Sequence, residues 1–147
     1  MEKATFAAGC FWGVQKKFDQ VEGVVSSRVG YTGGAKENPK YKEVCTGTTG
    51  HAEAIEITFD PQKISYEQLL AIFWEIHDPT TPNRQGPDVG SQYRSAIFFH
   101  TPQQETLARQ SKEKISEERN KRVVTEIVSA STFYEAEAYH QKYLSKN

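Results

Sequence analysis

Cysteine is scarce in this chain, with two residues, Cys10 and Cys45, among 147. That excludes a disulfide scaffold and fits a reducing compartment in which both thiols stay available for chemistry. Charge of one sign is not in excess either: the net charge is -1. Broad electrostatic steering toward nucleic acid or an anionic membrane is therefore not expected. No apolar run approaches the roughly 18 residues that a membrane span needs. The opening Met-Glu-Lys-Ala-Thr carries no signal-peptide pattern, so the expected location is cytoplasmic. Glycine-rich phosphate loops of the GxGxxG and Walker types are missing, as are CxxC and HxxxH spacings. No nucleotide cofactor and no metal is expected on those grounds.

What is present is the composition of an ordinary folded protein, with aromatics at 12% and charged residues at 25%. A chain of this length is most simply one domain, 1–147, long enough to bury a real core. There are no internal repeats, low-complexity tracts or linker-like shifts in composition.

Hydrophobic periodicity orders the chain. "TFAAG" (5–9) is a short strand ending at Gly9, and Phe11, Val14, Phe18 and Val21 then recur at helical spacing. "GVVSSRVGYTGG" (23–34) alternates and breaks at Gly33-Gly34. Residues 35–50 hold no sustained period and read as a long functional loop or a small excursion. "HAEAIEITFDP" (51–61) alternates through Ile55, Ile57 and Phe59, giving a strand with one buried face. Ser65 and Gln68 stand at capping-box spacing ahead of the stripe Tyr66, Leu69, Leu70, Phe73 and Ile76. Proline-rich 78–90 is loop, and "YRSAIFFH" (93–100) is strand. Thr101-Pro102 with Gln104 opens another helix through Leu107, Ala108 and Ile115. "VVTEIVSAS" (123–131) is a last strand, and "FYEAEAYHQKYL" (133–144) is helical or irregular. The alternation predicts an α+β fold, a two-layer α/β sandwich around split βαβ (ferredoxin-like) units. Its long irregular loops are the natural place for a site.

The stretch "AAGCFWGVQKKF" (7–18) places Cys10 at the strand-to-helix corner. A free cysteine is often only a small buried hydrophobe. At a helix start, however, unpaired N–H groups and the helix dipole favour the thiolate and lower its pKa toward reactivity. Gly9 and Gly13 suit a corner where the backbone and a ligand approach closely. Phe11 and Trp12 are either core or the wall of a pocket beside the sulfur. Being adjacent on a helix, they cannot both point as the cysteine does.

The two irregular loops hold the other candidates: Tyr41, Cys45, His51 and Glu53 in one, Asp88, Gln92, Tyr93 and Arg94 in the other. Each taken singly is more often a surface or structural group. Glu53 could serve as a proton donor near neutrality if burial beside the thiol raised its pKa. Tyr41 and Tyr93 would orient an oxygen, or are half-buried structural tyrosines.

Five blocks in the same order, "GCFWG" (9–13), "GYTGG" (30–34), "NPKYKEVCTGTTGHAE" (38–53), "PTTPNRQGPDVGSQYRSAIF" (79–98) and "AEAYHQKYL" (136–144), resemble the A-type peptide methionine sulfoxide reductases. The resemblance runs across nearly the whole chain. It implies that Cys10 is the nucleophile, that Phe11 and Trp12 wall the pocket for the S-methyl group, and that Glu53 protonates the sulfoxide oxygen. Tyr41, Asp88 and Tyr93 would complete the polar side. The implied substrate is methionine S-sulfoxide, free or in oxidised proteins, and the implied product on the protein is a Cys10 sulfenic acid.

Many members of that family carry further cysteines near the C-terminus that close a disulfide on the sulfenic acid, whereas here "YHQKYLSKN" has none. Cys45, the one other thiol, is expected to be a buried structural residue rather than a resolving one. The reading is therefore a one-cysteine enzyme recycled by an external thiol such as glutathione with glutaredoxin, or thioredoxin. Two rivals remain on the sequence. A cysteine hydrolase would use Cys10 with His140, although the papain-type neighbours of the cysteine are missing. A thiol redox sensor would oxidise at Cys10 without turning over sulfoxide.

Overall fold

A computed structural model describes residues 1–145. Along the chain run β1 (Glu2–Ala8), α1 (Phe11–Asp19), β2 (Val24–Thr32), α2 (Tyr41–Cys45), β3 (Ala52–Phe59) and α3 (Tyr66–Glu75). There follow β4 (Arg84–Gln85), β5 (Asp88–Val89), β6 (Ser95–Phe99), α4 (Pro102–Arg119), β7 (Glu126–Ser129) and β8 (Tyr134–Glu135). A six-stranded sheet has the order β7-β6-β1-β3-β2-β8. Its centre is antiparallel, with Phe6 opposite Ile55 and Tyr31 opposite Glu53. Strand β3 lies between β1 and β2, and β1 lies between β3 and β6, so β1-α1-β2 and β3-α3-β6 are interlocked split βαβ units. This is the expected core. Beyond it, β7 adds in parallel to β6 and β8 adds to the edge of β2.

The two faces of the sheet differ in what they bury. Alternate residues Phe6, Ile55, Ile57 and Ile97 meet Phe18, Leu69, Leu70, Phe73 and Ala108 from the helices. Phe6 stacks on Phe18 at 5.7 Å and on Phe73 at 5.1 Å. Each ring buried to this extent contributes about 1.5–3 kcal/mol. The opposite face carries small residues, Ala7, Ala52, Ala54 and Ala96 with Phe98, covered by Ala130 and Phe133. Small side chains there let the irregular segment after β7 lie close to the sheet.

Local chemistry sets the helix starts. Ser65 Oγ accepts from the backbone N–H of Gln68, whose side chain returns to the Ser65 backbone N–H. Thr101 Oγ1 accepts from Gln104 N–H, and Pro102 occupies the first turn of α4. Helix α1 has no such side-chain cap, because Cys10 stands at its N-cap position.

The structure refines the expectations at several places. Strand β1 begins at Glu2 rather than Thr5. Loop 35–50 contains the single-turn helix α2, too short to show a period. Loop 78–90 contains the two-residue hairpin strands β4 and β5. Residues 133–144, expected as helical or irregular, are irregular: β8 is followed by 3₁₀ turns at Ala138–His140 and Tyr143–Ser145. Among the described residues no helix is long and apolar enough to cross a membrane.

Candidate active site around Cys10

The site lies where β1 turns into α1. Gly9 makes that corner at φ +95°, and a Cβ there would stand 2.9 Å from Gln85 Cγ, so glycine is required. Cys10 follows, half-buried, at the start of the helix. Its thiol pKa is raised above the ordinary value, against the expectation of a lowered one. Burial is the largest cause, and the charges of Glu53 and Asp88 add to it. The backbone N–H groups of Trp12 and Gly13 pull the other way, as the helix start should, but do not prevail.

Glu53 reaches the same corner from the second residue of β3. Strand alternation puts it on the face of Ile55 and Ile57, so it is drawn inward with them and is 1% exposed. Its Oε1 accepts from the backbone N–H of Phe11 at 3.2 Å. Its Oε2 is buried with no hydrogen-bond partner among the described residues. Burial pushes the Glu53 pKa up to about 7; the Phe11 N–H works against this and Asp88 adds to it. A carboxyl in that state holds a proton near neutrality.

Three further groups come within electrostatic reach of Glu53. Tyr93, in the 3₁₀ turn Ser91–Tyr93, has its phenol pushed up to about 12, first by burial and then by Glu53, Cys45, Asp88 and Cys10. Asp88, on β5, acts on both Cys10 and Glu53. Tyr41, the first residue of α2, lays its ring parallel to Phe11 at 6.4 Å and against His140 at 4.4 Å. Its phenol is pushed well up by burial and by contact with the Cys45 thiol. The five polar candidates Cys10, Tyr41, Glu53, Asp88 and Tyr93 are thus brought together from separate parts of the chain.

The aromatic pair divides as adjacent helix positions must. Phe11 is core, packed between Tyr31 at 5.8 Å and His140 at 5.3 Å. Trp12 is half-buried and stacks on Tyr143 at 4.1 Å with 17° between the planes. Its indole N–H donates to His140 Nδ1 at 2.9 Å, which makes His140 the neutral Nε2–H tautomer. His140 is therefore committed to Trp12, and burial lowers its pKa. No hydrogen bond joins it to Cys10, so the hydrolase reading lacks its base. Cys45 corrects a second expectation, being exposed at the end of α2 rather than buried.

Sequence reasoning missed the residues that hold the C-terminal segment in place. Gln141 accepts from Val29 N–H and donates to Val29 C=O, both at 2.9 Å, so its amide pairs with β2 as a strand would. Glu137 accepts from Tyr31, Tyr41 and Tyr139. Both stand in the "AEAYHQKYL" block, which was legible as a block without showing what these two side chains grip.

A thiol at a helix start, with a buried carboxyl that is half-protonated near neutrality brought to the same corner, is an arrangement suited to thiol chemistry. The family described as peptide methionine sulfoxide reductase matches residues 2–147. A peptide methionine sulfoxide reductase MsrA of Methanothermobacter thermautotrophicus is 61% identical over 99% of this chain and 88% of that relative. Among solved structures, Mxr1 from Saccharomyces cerevisiae in reduced form superposes with a TM-score of 0.95 at 37% identity, covering 99% of this chain and 85% of that one. Mxr1 in complex with Trx2 superposes with a TM-score of 0.69 at 26% identity, covering 97% of this chain and 84% of that one. The chain belongs to the peptide methionine sulfoxide reductase family.

Proposed function

We propose that this protein reduces methionine S-sulfoxide by attack of the Cys10 thiolate on the sulfoxide sulfur, with Glu53 as the general acid. The observation that carries this reading is the position and state of Glu53. It is buried, hydrogen-bonded to the first residue after the nucleophile, and held to a pKa of about 7. Oxygen on a sulfoxide does not leave as an unprotonated anion, so attack at sulfur must be matched by proton delivery to oxygen. General acid catalysis of this kind typically contributes roughly 10²- to 10⁴-fold.

Each residue then has a task. Tyr41 and Tyr93 donate toward the oxygen as charge builds there. Asp88 supports the protonated form of Glu53. Trp12, with Phe11 behind it, bounds the apolar side against which the S-methyl group rests. Chirality follows, since methyl, oxygen and side-chain stem each meet a different surface.

In the net step the sulfoxide sulfur is reduced to the thioether and Cys10 is oxidised to Cys–SOH, the oxygen passing from one sulfur to the other. An external thiol then attacks the sulfenic sulfur and releases water, and a second thiol resolves the mixed disulfide and restores Cys10. Thioredoxin, or glutathione with glutaredoxin, has the chemistry required. Support for a protein thiol comes from the relative Mxr1, solved with Trx2.

The test is a multiple-turnover assay on separated S and R epimers with dithiothreitol, followed by one turnover without reductant. Expected are S-epimer reduction and a single oxygen added at Cys10. Reduction of the R epimer alone, or oxidation of Cys10 by peroxide without any sulfoxide turnover, would overturn the reading.

A further inference from the structure

We propose that Glu137 is a positioning residue for the reduction step, acting by fixing Tyr41; this rests on the reading of Tyr41 as a donor to the sulfoxide oxygen. Helix α2 spans five residues, Tyr41–Cys45. A single turn does not hold itself together in water, so contacts from elsewhere must set where its first residue lies. Its own capping contact, Lys40 N–H to Glu43 Oε1 at 3.0 Å, is exposed and purely local. Val44, 0% exposed, anchors the turn to the core by apolar contact, and Glu137 supplies a polar link at its first residue. One carboxylate oxygen accepts from Tyr31 O–H at 2.9 Å, anchoring it to buried β2. The other accepts from the backbone N–H of Tyr41 at 3.2 Å and from Tyr139 O–H at 3.3 Å.

Three donors from three stretches of chain thus end on one side chain. Tyr31 is 0% exposed and packed against Phe11, so the anchor is rigid. From it, Glu137 sets the Tyr41 backbone and with it a ring held between Phe11 and His140. Without Glu137 the turn keeps its internal hydrogen bonds and its Val44 anchor, but the Tyr41 end loses the polar contact that fixes it relative to Glu53. A displacement of about 1 Å at a positioned group can cost 10²-fold in rate.

The experiment is a double-mutant cycle on kcat, with thermal stability measured alongside. Glu137→Ala is expected to lower kcat by about ten-fold or more, and to add little once Tyr41→Phe is already in place. Glu137→Gln is expected to keep most of the rate. Its single oxygen can serve the Tyr41 N–H, while the Tyr31 hydroxyl turns to accept from the amide. Should Glu137→Ala not fold, Glu137→Asp runs the same cycle, being too short to reach Tyr31 and Tyr41 together. An undiminished loss in the Tyr41→Phe background, or wild-type kcat in both Glu137→Ala and Glu137→Asp, overturns the role of Glu137. Wild-type kcat in Tyr41→Phe alone overturns the role of Tyr41, and the present proposal with it.

Discussion

Phe11 and Glu53 are joined by one hydrogen bond, backbone N–H to Oε1 at 3.2 Å, and it ties the proposed acid to the residue directly after the proposed nucleophile. The N–H steadies the ionised carboxylate while burial opposes it, and burial prevails. Nucleophile and acid therefore also share a proton problem. After burial, an ionised Glu53 adds to the rise of the Cys10 pKa, and a protonated Glu53 removes that addition.

The first consequence concerns rate against pH. Glu53 must be protonated to act, so its contribution falls as pH rises through about 7. Glu53→Gln is expected to lower kcat at pH 6.5 by roughly 10²-fold or more and to abolish the alkaline decline. Single-turnover kinetics across pH 5.5–9 check this. A variant with wild-type rate at neutral pH would remove Glu53 from the chemistry.

The same residue shapes stability. Its pKa is higher in the folded chain, about 7 against an ordinary 4.5, so folded protein binds the extra proton. The stabilisation that this supplies is full below pH 4.5 and is lost as pH rises through 7. The loss is on the order of 3 kcal/mol in the limit of full coupling. Glu53→Gln should gain stability over wild type above pH 8, measured by urea unfolding. Parallel stability curves for the two proteins would contradict the buried, half-neutral carboxyl.

Trp12 gives a binding prediction. Trp12→Phe keeps a ring over Tyr143 but leaves His140 Nδ1 without its donor. Trp12→Ala removes both contacts. KM for a sulfoxide substrate is expected to rise in the order wild type, Phe, Ala, with kcat affected less. Unchanged KM in the alanine variant would return Trp12 to a packing role.

His77 sets an acid limit on stability. Its Nδ1 donates to Phe73 C=O at 2.6 Å, and its Nε2 accepts from Ser95 Oγ at 2.7 Å, which in turn meets Thr125 at 2.7 Å. Burial holds its pKa down to about 4. An unfolded histidine takes a proton near 6.5, so stability is intact above that pH and declines as pH falls from 6.5 through 4. Chemical denaturation of wild type and His77→Gln at pH 4.5 and 7.5 should show a smaller acid loss in the variant. Equal losses would place the acid sensitivity elsewhere.

How much of this was legible in the sequence follows from how local each signal is. The caps at Ser65 and Thr101 reach three residues ahead, and both were readable. The alternation of β3 was readable as well, and it carries Glu53 to the inner face. Helix α2 and strands β4, β5 and β8 are shorter than any period that could announce them, and long-range pairing defines β8. The Cys10 pKa failed for a related reason: the helix start is a local feature, while the burial that raises it, and then the charges of Glu53 and Asp88, come from parts of the chain distant in sequence. Glu137 and Gln141 were hidden because an isolated carboxylate or amide says nothing about donors more than a hundred positions away.

The hydrogen bond between Trp12 and His140 spans 128 positions. Contacts of such separation form late, because a long loop must close before they return anything. In refolding, catalytic competence should therefore lag behind recovery of the helical signal, since Trp12 gains its His140 partner only when the two ends of the chain meet.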